Sequence, residues 1–188
     1  MGIVSQPKLL VVDLEATCWE DKNDTSKVME IIEIGAVLAD SKTLEIMSEF
    51  QSFVKPILNP ILSDYCLNLT TIKQEEVDSA EMFPSVLARL LDFCGETNDV
   101  TLASWGDYDR KQLILDCARF GVQYPFGADH LNIKELFTER KGSKKCGMKK
   151  ALRILGIPLE GMHHRGLDDA RNIFKILAIL LNQPESIG

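Results

Sequence analysis

Two acidic residues follow a short apolar run near the start of the chain. The segment Val11-Val12-Asp13-Leu14-Glu15 places two carboxylates two positions apart. In an extended chain, residues i and i+2 project from the same face, so both carboxylates leave the end of a strand in one direction. Such like charges repel each other beside an apolar sheet unless a cation holds them ionised. The pair indicates a metal site, although a turn with a capping Asp13 and a solvated Glu15 is an alternative.

A second acidic group lies near the C-terminus, in the segment 163–172 with the sequence HHRGLDDARN. At 100° per residue, Asp169 lies at the edge of the apolar stripe of the helix that follows, and Asp168 lies nearly opposite that stripe. We therefore expect Asp169 to face a cleft beside the sheet and Asp168 to face water at the helix N-terminus. His164, five residues before Asp169, lies in the loop that leads into the helix. We interpret His163 as an ordinary loop histidine.

A third acidic group lies between these two, in the segment 104–113 with the sequence SWGDYDRKQL. This segment is typical of the end of a strand followed by the start of a helix. Helical phase does not decide between Asp107 and Asp109. Asp107 is placed to cap the helix N-terminus. Asp109 follows an aromatic residue and shares its side of the helix with Leu113 and Cys117, so it is the better candidate for the cleft.

The elements that must position these residues begin with three candidate strands. Leu9–Val12, Ile31–Leu38 and Phe50–Val54 are rich in β-branched or aromatic residues and predict a meander. Two helices are expected next. One opens at Thr71 through a capping-box pattern and runs to about Ser79, and the other has Pro84 in its first turn and ends at Cys94-Gly95.

The second half of the chain alternates strands and helices. Val100–Ala103 and His130–Ile133 are candidate strands. Asp107–Phe120, Gly147–Leu155 and Arg165–Leu181 are candidate helices, the first ended by a glycine. Strands that lead and helices that alternate later predict an α/β layered domain with a mixed sheet.

Composition limits the classes of protein that fit. A length of 188 residues with 45% hydrophobic content suits a single globular domain over 1–188. No apolar run reaches the ~18 residues that a bilayer span needs, and the N-terminus has no export signal. Five cysteines without a CxxC pair indicate neither a zinc site nor a disulfide framework. We expect a soluble intracellular protein without membrane association, cytoplasmic or, in a eukaryote, nuclear.

The net charge of −7 argues at first against nucleic acid as a partner. Acidic groups that hold divalent cations are partly neutralised in use, however, and basic residues cluster in one region. A solvated surface and a phosphate-contacting rim both remain open for this cluster. Its members are Arg140, Lys141, Lys144, Lys145, Lys149 and Lys150.

The segments DLE, YD and HRGLDDA of this chain, in this order and at these separations, resemble the DEDDh 3′-to-5′ exonucleases. The first motif of that family maps onto Asp13 and Glu15, the second onto Asp109, and the third onto His164 and Asp169. The resemblance implies a ribonuclease H-like fold, an α/β domain with a mixed five-stranded sheet flanked by helices and a core over about 9–181.

One stretch is similar to a particular branch, that of the histone-mRNA 3′ exonuclease and the enhanced-RNAi nucleases. It covers residues 60–74, with Val77-Asp78 and Trp105-Gly106 beyond it. That branch mostly handles RNA. A departure is Thr71, where the family often has glycine.

The resemblance implies metal-dependent hydrolysis from the 3′ end of a nucleic acid, RNA rather than DNA, with release of nucleoside 5′-monophosphates. Oxygen ligands favour two Mg²⁺ or Mn²⁺ ions per site. Asp13 would bridge both ions, Glu15 and Asp169 would complete one, and Asp109 would hold the other. His164 would take the proton of the attacking water as general base. Neither haem nor a nucleotide cofactor is expected.

The same resemblance implies substrate contacts. Ala16 and Thr17 would reach the terminal hydroxyl, and Leu69 would separate the last bases. A DNA exonuclease of the proofreading or repair type is the first alternative. A non-catalytic nucleic-acid-binding protein of the same fold is the second, but it would have lost a site residue, and all five are present. An HD-type phosphodiesterase would need more histidines than the three in this chain.

Overall fold

The computed structural model describes residues 4–21 and 27–182 and contains a mixed five-stranded sheet. The strand order is β3-β2-β1-β4-β5. The first three strands form an antiparallel meander, and β4 and β5 run parallel to β1. The predicted fold class is therefore confirmed. The strands are β1 (Lys8–Ala16), β2 (Ile31–Asp40), β3 (Ile46–Phe53), β4 (Val100–Ser104) and β5 (His130–Asn132).

Helices flank both faces of the sheet. They are α1 (Asp64–Thr70), α2 (Gln74–Asp78), α3 (Phe83–Cys94), α4 (Tyr108–Arg119), α5 (Ile133–Lys141), α6 (Met148–Leu155) and α7 (Gly166–Asn182), with a short 3-10 helix at Thr97–Asp99. Within residues 4–21 and 27–182, no helix has the length and apolar character that a bilayer span requires.

Two helices were not expected from the sequence, namely α1 and α5. Helix α1 has only seven residues and begins where the Ser63 hydroxyl accepts from the Cys66 N–H. Helix α5 starts at the residue after β5, and the Asn132 side chain caps it by accepting from the Glu135 N–H. Helix α1 is short and α5 follows β5 without an intervening loop, so neither shows the long apolar periodicity that marks a helix in sequence.

The predicted helix start at Thr71 is wrong. Thr71 instead ends α1 in a left-handed conformation with φ of 61°. The next helix begins at Gln74, and the Glu76 carboxylate accepts from the Lys73 N–H at its start. A left-handed C-cap is a position where glycine avoids the strain that a side chain brings. This conformation explains why the family often has glycine at the position of Thr71.

The core has two halves, one on each face of the sheet, because the side chains of β1 alternate. Leu10 and Val12 pack against α3 and α4 on one face. Leu9 and Val11 pack against α5, α6 and α7 on the other. Asp13 continues the second series, since residues two apart in a strand share a face. The alternation that builds the core thus directs the acidic end of β1 towards α7.

Helix α7 approaches the sheet closely at a glycine pair. Gly35 lies opposite Asp13 in the β1–β2 register. A Cβ atom on Gly35 would come within 1.9 Å of the Gly166 carbonyl carbon, at the first residue of α7. Only the absence of a side chain at Gly35 therefore lets the first turn of α7, with Asp169, reach the end of β1.

We predict that Gly35→Ala lowers the free energy of unfolding by at least about 1–3 kcal/mol, because the clash is with backbone and α7 must move. Thermal unfolding measures the change. Gly127→Ala is the matched control, since a Cβ there meets no atom within 4 Å. It should shift stability by less than about 0.5 kcal/mol. A Gly35→Ala variant as stable as the control would show that the approach of α7 does not constrain this position.

Candidate active site

Four carboxylates from three elements meet in one cavity. Asp13 and Glu15 come from β1, Asp109 from the first turn of α4, and Asp169 from the first turn of α7. One oxygen from each of Asp13, Glu15 and Asp169 lies within 4.8 Å of the others. The cavity has a volume of about 370 Å³. Its other lining residues are Leu14, Trp105, Tyr108, Gly147, Met148, Lys149, His163 and His164.

A hydrogen bond to the first strand fixes Asp109. Its Oδ1 atom accepts from the Leu14 N–H at 3.0 Å, and the residue is only 4% exposed. Leu14 stands between Asp13 and Glu15, so this bond ties the first turn of α4 directly to the acidic end of β1. The structure therefore brings Asp109 to the cleft with the other three carboxylates.

Asp107 occupies the N-cap position of α4, but its carboxylate turns towards β5 instead of capping the helix. The Oδ1 atom of Asp107 accepts from the Asn132 amide at 3.2 Å and lies 3.7 Å from Nδ1 of His130. The predicted capping role of this side chain is therefore wrong. Asp107 lies behind the cleft and not in it.

Asp169 receives two contacts from the loop before α7. Its Oδ2 atom accepts from the His164 N–H at 2.9 Å and lies 2.9 Å from Nδ1 of His163. Asp168 turns away, as its helical phase predicted, and accepts from the Met162 N–H at 2.8 Å. The structure thus places Asp169 in the cleft and uses Asp168 to hold the loop.

The two histidines stack on each other beside Asp169. Their ring centroids are 3.9 Å apart, and both rings line the carboxylate cavity. His164 has a left-handed backbone with φ of 67°, which turns its N–H towards Asp169. The interpretation of His163 as an ordinary loop histidine is wrong, because its ring contacts Asp169 directly. Burial lowers the pKa of His164, and the neighbouring His163 lowers it further.

One residue of this region escaped the sequence analysis, namely Glu33 on β2. It is fully buried and lies opposite Glu15 in the strand register. Its carboxylate accepts from the Gly166 N–H at 3.1 Å and from Nε of Arg165 at 3.3 Å. Glu33 therefore anchors the start of α7. Its signal in the sequence was a lone acidic residue inside an apolar strand.

The carboxylates are electrostatically strained by one another. Burial and then the charge of Asp169 raise the pKa of Glu15 to about 8. Burial raises the pKa of Asp109 to about 6, although the Leu14 N–H acts in the opposite direction. Burial, followed by the charges of Asp109 and Glu15, also raises the pKa of Asp13. Divalent cations would relieve this repulsion, and an all-carboxylate donor set suits hard cations. The residues therefore fit a divalent metal site.

A second cavity, of about 360 Å³, adjoins the first and is lined mostly by aromatic and apolar side chains, with one acidic and one basic residue. Tyr108 lines both cavities. Leu69 lines the second one, at the C-terminal end of α1. The other lining residues are Cys18, Trp19, Asp21, Lys27, Met29 and Tyr65. The pair of cavities can hold a charged group beside a flat apolar one.

Ala16 and Thr17, the predicted contacts for a terminal hydroxyl, are both buried at the end of β1. The Thr17 N–H donates to the Glu30 carbonyl at 2.8 Å, and the Thr17 hydroxyl oxygen accepts from the Glu30 N–H at 3.0 Å. The Ala16 carbonyl accepts from the Cys66 thiol at 3.7 Å. Neither residue is among those that line the two cavities, and Thr17 is only 2% exposed.

Comparison with known proteins gives the class. Residues 10–177 match the exonuclease family model named for RNase T. Human 3'-5' exoribonuclease 1 is 34% identical over 92% of this chain and 52% of its own length. The Drosophila melanogaster 3'-5' exonuclease Snipper is 30% identical over 88% of this chain and 66% of its own length. The chain spans about half the length of the human relative.

The solved nuclease domain of 3'hExo, described as a DEDDh family member bound to rAMP, superposes with a TM-score of 0.87. It is 34% identical, over 94% of this chain and 92% of that domain. The chain belongs to the exonuclease family, and the predicted DEDDh resemblance is confirmed.

We predict that, in EDTA, the free energy of unfolding of the protein falls as pH rises. A carboxyl group whose pKa is raised by folding binds its proton more tightly in the folded state than in the unfolded state. The stability that the group contributes is therefore present at low pH and is lost as pH rises through the raised pKa. For Glu15 this interval runs from 4.5 to about 8. In EDTA the Tm should fall across it, and Mg²⁺ should raise the Tm most at its upper end.

Thermal unfolding with EDTA and with Mg²⁺ across this pH range measures the effect. Glu15→Gln is the control, because it removes one of the titrating groups and should reduce the pH dependence in EDTA. A Tm in EDTA that is constant or rises with pH would contradict the electrostatic interpretation.

Proposed function

We propose that this chain is a 3′-to-5′ exonuclease that hydrolyses phosphodiester bonds at the 3′ end of RNA and releases nucleoside 5′-monophosphates. The observation that carries the proposal is the cavity in which four carboxylates, three of them on buried residues, and a histidine pair meet, next to an aromatic pocket. Membership of the exonuclease family supports the reaction class. The names of the relatives, exoribonucleases among them, support RNA as the substrate.

Asp13, Glu15, Asp109 and Asp169 would hold two divalent cations, Mg²⁺ or Mn²⁺. When bound, such ions polarise the phosphoryl group and stabilise the charge on the attacking and leaving oxygens. Hydrogen bonds within the chain hold two of these carboxylates in place before any cation binds. Asp109 is held by the Leu14 N–H, and Asp169 is held by the His164 N–H. This preorganisation reduces the reorganisation that the site needs during the reaction.

The aromatic pocket supports a terminal nucleotide as the bound group. Bases stack on aromatic side chains in sequence-tolerant binding, and each stacked base contributes about 1–3 kcal/mol. Tyr108 lies between the pocket and the carboxylates, and Leu69 lies on the pocket wall. A base held here would have its 5′ phosphate at the carboxylates, and Leu69 would separate it from the base before it. Ala16 and the Thr17 hydroxyl, at the end of β1, would approach the terminal sugar.

His164 would act as the general base. Its lowered pKa keeps the imidazole neutral at neutral pH, so a ring nitrogen can accept the proton of the attacking water. The ring of His163 is already bonded to Asp169, and it stacks against His164. His163 therefore orients Asp169 and supports the His164 ring.

Phosphate contacts beyond the site would come from the basic cluster that runs from the end of α5 into α6. Lys149 is exposed and lines the carboxylate cavity, and Lys150 follows it on the exposed surface. Ammonium groups at this rim offset the charge of the carboxylates for an approaching polyanion. This position favours the phosphate-contacting interpretation of the cluster.

The reaction class is tested by incubating matched RNA and DNA oligonucleotides, labelled at the 3′ or the 5′ end, with the protein and Mg²⁺ or Mn²⁺. We expect immediate release of the 3′ label as a mononucleotide from RNA, gradual shortening of the 5′-labelled RNA, and no turnover in EDTA. Asp169→Asn should lower turnover by more than about 10²-fold, as loss of a transition-state contact does. Asp168→Asn is the matched control.

Faster degradation of DNA than of RNA would support the DNA exonuclease instead. Binding of RNA without turnover would support the non-catalytic alternative. Turnover at full rate in EDTA would exclude the metal-dependent mechanism.

We predict that His164→Ala lowers turnover by about 10²- to 10⁴-fold, the range that general base catalysis contributes. Because burial lowers the pKa of His164 below its ordinary 6.5, the wild-type rate should rise with pH through a limb below that value. The limb should flatten in the variant. His163→Ala should cost less, since Asp169 keeps the His164 N–H. If His163→Ala removed the limb and His164→Ala did not, His163 would be the base.

A further inference from the structure

The loop of residues 160–164 folds back onto α7, the helix that follows it. Asn172, in the second turn of α7, is fully buried, and its side chain makes three hydrogen bonds. The Oδ1 atom accepts from the Glu160 N–H at 3.1 Å. The Nδ2 atom donates to the Glu160 carbonyl at 2.8 Å and to the Asp168 carbonyl at 2.7 Å. Both N–H groups and the oxygen of this amide therefore have a partner.

The next residues of the loop are held by the same helix. Gly161 has a φ of 73°, and a Cβ atom there would collide with the Asp168 carboxylate, so the loop lies directly against α7. The Met162 N–H donates to Oδ2 of Asp168 at 2.8 Å, and the His164 N–H donates to Oδ2 of Asp169 at 2.9 Å. Three side chains of α7 thus bind alternate N–H groups of the loop.

Asn172 differs from the two carboxylates in what it can hold. An ionised carboxylate only accepts hydrogen bonds, whereas an amide both donates and accepts them. Asn172 therefore binds the N–H and the carbonyl of one residue, Glu160, and fixes the direction in which the chain enters the loop. The chain reaches His164, four residues later, from this fixed starting point.

We propose that Asn172 is a positioning residue for His164. It holds the start of the loop on α7, so that the His164 imidazole stays beside Asp169, which the same helix carries. The His164 ring lines the carboxylate cavity and Asn172 does not, so Asn172 acts through the loop. The proposal rests on the proposed function, which assigns the general base to His164. A displacement of about 1 Å, even one caused far from the chemistry, can lower the rate about 10²-fold.

The test uses Asn172→Ser and Asn172→Leu. Serine is too short to reach Glu160, but its hydroxyl can still donate to the Asp168 carbonyl four residues earlier in the helix. Leucine keeps the approximate volume of the side chain and removes all three bonds. We expect both variants to lower turnover of 3′-labelled RNA by about 10- to 100-fold and to keep Mn²⁺ binding, measured by calorimetry, within about threefold of wild type.

Lys175→Ala is the matched control on the same helix. It removes the ion pair between Lys175 and the exposed side chain of Glu160 and leaves the backbone of the loop bound. Turnover should be unchanged in this variant. A loss in Lys175→Ala as large as that in Asn172→Ser would overturn the proposal, because any contact between α7 and Glu160 would then have the same effect.

A double-mutant cycle separates the positioning of His164 from general damage to the helix. If Asn172 acts through the His164 ring, Asn172→Ser should lower turnover by less than about threefold in a His164→Ala background, because the ring is already absent. A loss of the same factor in both backgrounds would overturn the proposal, since Asn172 would then support Asp169 or the helix itself. Wild-type turnover in Asn172→Ser would overturn it as well.

Native-state hydrogen exchange gives a readout that is independent of activity. The N–H groups of Glu160, Met162 and His164 are bonded to side chains of α7, so we expect them to be protected in the wild-type protein. In Asn172→Ser all three should exchange faster, by about tenfold or more, because the loop opens from its start. Unchanged protection of the Met162 and His164 N–H groups would contradict the positioning role.

Failure of the proposed function gives a different result. If the wild-type protein did not degrade RNA, or if His164→Ala kept full turnover, the assignment of the general base would fail whatever Asn172 does to the loop. If wild type degraded RNA and His164→Ala did not, while Asn172→Ser kept wild-type turnover, only the positioning role would fail. The Tm in EDTA identifies a variant that is merely unfolded, and Asn172→Ser, the smaller change, then carries the test.

Discussion

The mutual repulsion of four carboxylates in one cavity is the constraint on which the rest of the site depends. A charge in a low-dielectric surrounding is costly, and each neighbouring charge adds to the cost. The chain offsets part of this cost with backbone donors. The Leu14 N–H serves Asp109, the His164 N–H serves Asp169, and the Gly166 N–H serves Glu33. The remainder is what bound cations would neutralise, so the repulsion among the carboxylates and their capacity for metal have one origin.

The whole fold has to satisfy this constraint, because the four acidic residues come from distant parts of the chain. Strand alternation turns Asp13 towards α7, the first turn of α4 presents Asp109 to β1, and Gly35 lets the start of α7 come close. The apolar packing on both faces supplies the free energy that holds these elements together against the repulsion. Dense packing also keeps the carboxylates in place, since a close-packed interior has few voids and low compressibility.

The loop before α7 contacts both α1 and α7. The Thr71 hydroxyl, at the end of α1, contacts Sδ of Met162 at 2.9 Å, and the Met162 N–H donates to Asp168. One side of the loop is thus bound to the helix that carries Leu69, and the other side is bound to the helix that carries Asp169. The proposed general base lies between these two attachments.

The sequence by itself determined the mixed sheet, most of its elements and the acids of the DLE, YD and HRGLDDA segments, because these depend on local periodicity and on spacing along the chain. It did not predict helices α1 and α5 or the end of α1 at Thr71, because hydrogen bonds to neighbouring residues decided these boundaries. It also did not reveal the contact of His163 with Asp169, the anchoring by Glu33, or the contact of Ser104 with His130. Those interactions join residues whose proximity arises only when the strands pair and α7 packs, so only the tertiary structure decided them.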